Sequence, residues 1–145
     1  MPDPYELRRF TDAQEDAYAR ALQELRAGRK RSHGMWYVFP QVDGLGVSAM
    51  SRRYAIRSLA EAEAYLADPV LGPRLVACGE AVLAIEGRSA REIFGSPDDQ
   101  KLRSCATLFA QVSPPGSVFA RLLARFFGGA PDDRTLQLIR GPHRR

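Results

Sequence analysis

Apolar residues in this chain recur mostly at helical spacing, and helix boundaries can be read from the polar residues between them. Tyr18, Ala21, Leu22 and Leu25 lie at i, i+3, i+4 and i+7, one stripe of an amphipathic helix. Thr11 and Gln14 in "TDAQ" have capping-box spacing, so this helix is expected to open at Thr11; Gly28 supplies a left-handed stop. Ser58 with Glu61 is a second box, opening a helix that runs to about Ala67, where Asp68-Pro69 ends it. Leu71, Leu75, Cys78, Val82 and Ile85 mark a longer helix, closed by Gly87 after Glu86. Gly79 inside it signals a weak point or a close helix crossing. Ser89 with Glu92 is a third box, for a short helix ending at Phe94-Gly95.

The pattern continues to the end of the chain. In "SPDD" (96–99) Ser96 is placed as the cap and Pro97 in the first turn, with Asp98 and Asp99 facing the positive end of the helix dipole. That helix spans 97–112, until "SPPG" breaks it. Ser117 caps "VFARLLARFF", stopped by Gly128-Gly129, and "PDDRTLQLI" gives a last short helix. The reading is mainly α: one compact domain over 1–145, six to eight helices, little or no sheet, and a frayed tail at 140–145.

One segment departs from this grammar. "RKRSHGMWYVFPQVDGLGVS" (29–48) carries three cations, a histidine and the sole tryptophan. Met35 to Phe39 is too short an apolar run for a helix of its own, and reads as a short strand or buried extended piece. Pro40 would end a strand, and Gly44 and Gly46 mark a turn that approaches something closely. Irregular segments are where binding residues concentrate.

Composition changes the picture little. At 145 residues, 45 % hydrophobic and 26 % charged, the chain is long and apolar enough for its own core. Net charge is +4, with the excess in "RKR" (29–31) and "HRR" (143–145), which permits a polyanionic partner without requiring one. Cys78 and Cys105 lie inside apolar helical patterns, without CxxC or Cys/His spacing, so they read as buried thiols in a reducing cytoplasm. No run approaches the roughly 18 apolar residues of a membrane span, and the N-terminus has no signal-peptide core.

Candidate chemistry is sparse. Cys105 lies four residues after Lys101, so an ammonium beside the thiol is one conceivable activated nucleophile; a buried structural cysteine is the plainer reading. Asp98/Asp99 and Asp132/Asp133 could hold a divalent cation only if folding brought them together, and each pair is already explained as helix N-terminal charge. No metal or cofactor is expected. "GLG" (44–46) is only a fragment of a dinucleotide fingerprint. The basic stretch remains: Arg29, Lys30, Arg31 and His33 offer charge, while Trp36, Tyr37 and Phe39 offer stacking surface. The alternative is that the aromatics turn inward and the cations outward.

Four stretches carry a resemblance. "LRRF" and "GRKRSHGMWYVFPQVDGLGVS" (within 7–48), "YAIRSLAEAEAYLADPVLGPRL" (54–75), "IFGSPDDQKLRSCATLF" (93–109) and "FGGAPDDRTL" (127–136) resemble, in order, a bacterial family catalogued as domain of unknown function 1810. Some members carry the label calpastatin, although nothing here resembles those disordered inhibitors. The resemblance implies a mainly helical single domain and brings no activity. The family usually reads "SHWMW", where this chain has Gly34; "SCATLF" replaces the usual "SSMTLF", so Cys105 is not a family position. The motif residues that carry over are His33, Trp36, Pro40, Gln41, Gly44, Gly46, Tyr54, Asp99, Lys101, Ser104, Thr107 and Phe109.

The leading functional expectation is a pocket between segment 33–46 and the helix 97–112, built from His33, Trp36, Gln41, Lys101 and Ser104. It would take a small anionic, nucleotide-like ligand: Trp36 stacking, Gln41 hydrogen-bonding, and Lys101 with Arg29 or Arg31 neutralising phosphate. His33 and Asp99 are the only general-base candidates, and no catalytic set emerges. The alternatives are nucleic-acid binding through 29–37 and the basic tail, and a protein-interaction module.

Overall fold

The computed structural model describes residues 3–31, 35–46 and 48–140; His33, Gly34 and the basic end of the tail lie outside these. Ten helices form among the described residues: α1 Arg8–Gln14, α2 Tyr18–Arg26, α3 Met35–Val38, α4 Ala49–Arg53, α5 Leu59–Ala67, α6 Leu71–Leu83, α7 Ala90–Phe94, α8 Asp98–Ala110, α9 Val118–Phe127 and α10 Asp133–Ile139. They share a single apolar core. The only extended pairing among the described residues is an isolated parallel bridge between Val42 and Ile56. The mainly helical fold class therefore holds, with more and shorter helices than the six to eight expected.

Capping chemistry explains most boundaries. The Ser58, Ser89 and Ser117 hydroxyls each accept the amide three residues on, opening α5, α7 and α9. Ser89 and Glu92 complete the reciprocal box. The Asp132 carboxylate accepts from the Thr135 amide and caps α10. Gly128 takes the left-handed conformation that ends α9.

Three local expectations fail. Thr11 does not open a helix; it lies inside α1, where its hydroxyl donates to the Arg8 carbonyl. The carboxylate of Asp3 does the opening, accepting from the Leu7 and Arg8 amides, and those bonds hold its pKa below the usual value. Ser96 is not the cap of α8, because Pro97 occupies that position and no side chain caps it. Met35–Val38 is a helical turn, not a strand. The turn buries Met35, Val38 and Phe39 at i, i+3 and i+4, and Gln14 Nε2 donates to the Tyr37 carbonyl at its end.

α8 sits at the centre, packed by α9, α7, α5 and α10, and its Ser104–Phe109 stretch is buried throughout. α6 lies against α2, α5 and α9. Gly79 is a close crossing: a Cβ there would come within 2.8 Å of Val118 Cγ2 on α9.

Two polar devices hold α1 to residues 53–65. Arg9 is buried, and pairs with buried Glu61 at 2.7 Å. Its other donors reach the carbonyls of Tyr5, Glu6, Arg53 and Ala55, while Glu61 Oε1 accepts from the Arg57 amide. Both charges are thus satisfied without water. Gln14 also donates to the Tyr65 hydroxyl. The Arg9–Glu61 lock fixes the course of residues 53–57, which places Tyr54 and Ile56 beside the 36–46 segment.

Candidate functional site

The irregular segment and the first turn of α8 face each other across a cleft of about 220 Å³. Trp36 comes from α3, Gln41, Val42, Leu45 and Gly46 from the loop after it, Gln100, Lys101 and Ser104 from α8, and Pro97 from the position just before that helix. Local backbone bonds fix the loop. The Ile56 amide donates to the Gln41 carbonyl and the Asp43 amide to the Ile56 carbonyl, each at 2.8 Å, on either side of the Val42 bridge. Gly44 and Gly46 are the close approaches that the sequence suggested. A Cβ on Gly44 would stand 3.0 Å from Leu138 Cδ2, and one on Gly46 2.6 Å from Ser51 Oγ.

Within this cleft Lys101 Nζ lies 4.2 Å from the centroid of the Trp36 ring, a cation–π contact. The same ammonium pairs with Asp98 at 3.1 Å, one helical turn back. Trp36 and Gln41 are both half-buried, so indole and amide are reachable from solvent. Among the described residues the Gln41 side-chain amide has no hydrogen-bond partner, and so retains two donors and an acceptor. Ser104 is buried and donates to the Gln100 carbonyl, leaving its oxygen able to accept. Tyr54 closes one wall and packs edge-on against Tyr37. Asp132 also reaches the cleft, with one carboxylate oxygen committed to the Thr135 amide and hydroxyl.

The model of the family described as "Protein of unknown function (DUF1810)" matches residues 4–139. The chain belongs to the DUF1810 family. It is also similar to the conserved hypothetical protein Rv1873 from Mycobacterium tuberculosis, whose crystal structure matches at 51 % identity and a TM-score of 0.93, covering 96 % of this chain and 99 % of that one. Comparison with the curated proteins gives no match.

In this DUF1810 protein four of the five expected site residues, Trp36, Gln41, Lys101 and Ser104, line one cleft; His33 lies outside the described residues. Arg29 and Arg31 do not join them. They line a separate cleft with Lys30, Arg91 and Glu92, so the expected phosphate clamp of Lys101 with Arg29 or Arg31 is not assembled. The aromatics and cations of 29–39 part company in the same way: Phe39 is buried in the core, Tyr37 packs on Tyr54, and Trp36 faces the first cleft. No shared stacking-and-phosphate surface forms there among the described residues.

The remaining candidates resolve on burial. Cys105 is buried, and burial pushes its thiol well above the ordinary value; Lys101 is turned to Trp36 and Asp98 instead. Cys78 is likewise pushed up to about 12. Asp99 is buried, lies off the cleft lining, and has Oδ1 without a partner. Among the described residues no group of three or more His, Cys, Asp or Glu is placed to hold a metal ion. No helix among them is long and apolar enough to cross a membrane. Sequence reasoning missed Val42, Leu45, Tyr54, Gln100 and Asp132 as cleft walls. Of these, Tyr54 was marked as a motif residue and Asp132 as helix N-terminal charge, neither as a cleft wall.

Proposed function

We propose that this DUF1810 protein is a small-molecule-binding domain whose ligand enters the cleft between Trp36 and α8. The observation that carries the reading is the Lys101 ammonium over the Trp36 ring, in a solvent-reachable hollow that also holds an unengaged glutamine amide. Lys101 covers one indole face much as a planar ligand would, so the cation acts as a movable cover. The Asp98 pairing holds in the same geometry, so a stacking ligand displaces the ammonium from the ring while the ion pair keeps it at the rim.

The dimensions narrow the ligand class. The cleft measures about 220 Å³. That is the scale of one planar ring system, and below the roughly 300–1,000 Å³ of sites that enclose drug-sized ligands. The lining charge narrows it further: Lys101 and Asp132 cancel, and Lys101 is already paired. The reading is therefore a heteroaromatic ring with a hydrogen-bonding edge, such as a nucleobase, read by Gln41 and Ser104, with any negative charge confined to one group near Lys101.

The sole tryptophan makes a direct probe, since every change in indole emission reports on Trp36. Titration with nucleosides and nicotinamide is expected to give a saturable emission change that Gln41→Leu weakens and Lys101→Met alters. Ligand-free Lys101→Met should already differ in emission, having lost the cation. If no such compound changes the emission or raises the melting temperature at millimolar concentration, the binding reading fails.

A further inference from the structure

The second cleft is polar, has a volume of about 440 Å³ and shares no residue with the first. Its side chains are Arg29, Lys30, Arg31, Arg91, Glu92 and Phe94, with Gly95 at the edge. Four cations line it against one lining carboxylate, Glu92, and the Glu24 carboxylate stands behind the strip at the Arg31 amide, so positive charge is in excess by two. We propose that this cleft is a binding site for clustered phosphoryl oxyanions, on a compact polyphosphate or the phosphate tail of a nucleotide.

Arg29, Arg31 and Arg91 are exposed, but the backbone that carries them is anchored. The three basic residues follow the Gly28 turn, and each has its backbone amide tied down: Arg29 to the Glu24 carbonyl at 3.1 Å, Lys30 to the Ile93 carbonyl at 2.8 Å, Arg31 to Glu24 Oε1 at 2.9 Å. The Lys30 bond joins this strip directly to α7, which brings Arg91 across the cleft. The starting points of four long side chains are therefore fixed before any ligand arrives, which lowers the ordering cost of binding. Lys30 itself is buried at 6 % exposure, so its charge sits within the wall rather than in free solvent. The Glu92 carboxylate is oriented by the Ser89 amide in the capping box of α7 and makes no salt bridge with the arginines, so its single charge leaves them in excess. Among the described residues Arg29, Arg31 and Arg91 make no salt bridge. Guanidinium groups left unpaired around one hollow suit oxygen-rich anions, which accept their forked donors in pairs.

Calorimetric titration with inorganic tripolyphosphate tests this directly. One site per chain is expected at low salt. Arg91→Gln or Arg31→Gln should each weaken it about tenfold, the scale of one charge-assisted hydrogen bond. Arg20→Gln, an exposed cation outside the cleft, should leave it unchanged. A nucleoside triphosphate arm separates the two sources: equal affinity points to the phosphates alone, and tighter binding that Arg91→Gln still weakens points to a nucleotide tail. The proposal is overturned if tripolyphosphate does not bind at low salt, or if Arg20→Gln weakens it as much as Arg91→Gln. It is also overturned if single-stranded RNA binds far more tightly with a steep salt dependence, the mark of a polynucleotide surface. Failure here leaves the Trp36 cleft untouched, since that site is read by indole emission with uncharged ligands.

Discussion

Glu61→Ala is the perturbation whose cost the structure specifies best. It removes the carboxylate 2.7 Å from Arg9 and leaves a buried guanidinium without its counter-charge. Breaking a buried pair from one side costs about 3–5 kcal/mol. Arg9 keeps four backbone carbonyls as acceptors, which places the loss near the lower end, about 3 kcal/mol. Against a total stability of about 5–15 kcal/mol this is a large fraction. In a chain of this size it corresponds to a fall in melting temperature of roughly 10 °C. Urea unfolding monitored by circular dichroism measures it. The double variant Arg9→Met/Glu61→Leu should be more stable than Glu61→Ala, because it removes both charges and fills the space. A loss under about 1 kcal/mol for Glu61→Ala, the value of a surface pair, would refute the claim that this pair locks α1 to the 53–57 segment.

Other outcomes follow from the same packing. Gly72→Ala should destabilise more than Gly79→Ala, because its Cβ would be built onto the Leu66 carbonyl oxygen, which cannot turn away. Gly79→Ala meets only the Val118 methyl and should cost about 1–3 kcal/mol by overpacking; thermal melts of the pair check the order. Ser89→Ala removes the hydroxyl half of the α7 box, leaving the Glu92 carboxylate on the residue-89 amide, and should cost about 1 kcal/mol in denaturant unfolding. The Cys78 thiol titrates near 9.0 when unfolded and is pushed up to about 12 by burial. The folded state therefore holds the proton longer, and this contribution is complete below pH 9.0 and lost as pH rises toward about 12. The lowered pKa of Lys30 works the opposite way over an overlapping range. The informative quantity is thus the difference between Cys78→Ala and the parent, and that difference should shrink between pH 8 and pH 11 if the thiol is the cause.

Where a boundary depends on a few adjacent residues, it was legible. Ser58, Ser89 and Ser117 opened their helices because a hydroxyl and an amide three residues on need nothing from the rest of the chain. Thr11 was misread because Asp3, from outside the window, supplied the competing acceptor. Met35–Val38 was misread because a single turn is too short to show a period, and it is tertiary packing that buries Met35, Val38 and Phe39 together. Four of the expected site residues do line one cleft, since a basic-aromatic loop and a helix start were each conspicuous. The separation of Arg29 and Arg31 from Trp36 was not legible, because it depends on how the Lys30 backbone meets Ile93, 63 positions along the chain. Nor was the counter-charge: Asp132 was explained by its capping role, and only the packing of α10 on α8 brings it to the same hollow.

The claim at the centre is that Trp36, Gln41 and Lys101 form one ligand-accepting hollow, and amide-detected NMR tests it most directly. On titration with a nucleoside, the Trp36 indole N–H and the Gln41 side-chain NH₂ should shift together along one saturation curve, with the backbone amides of Gln100 to Ser104 following. Shifts scattered over the surface, or none at the indole and the Gln41 amide under saturating ligand, would contradict it.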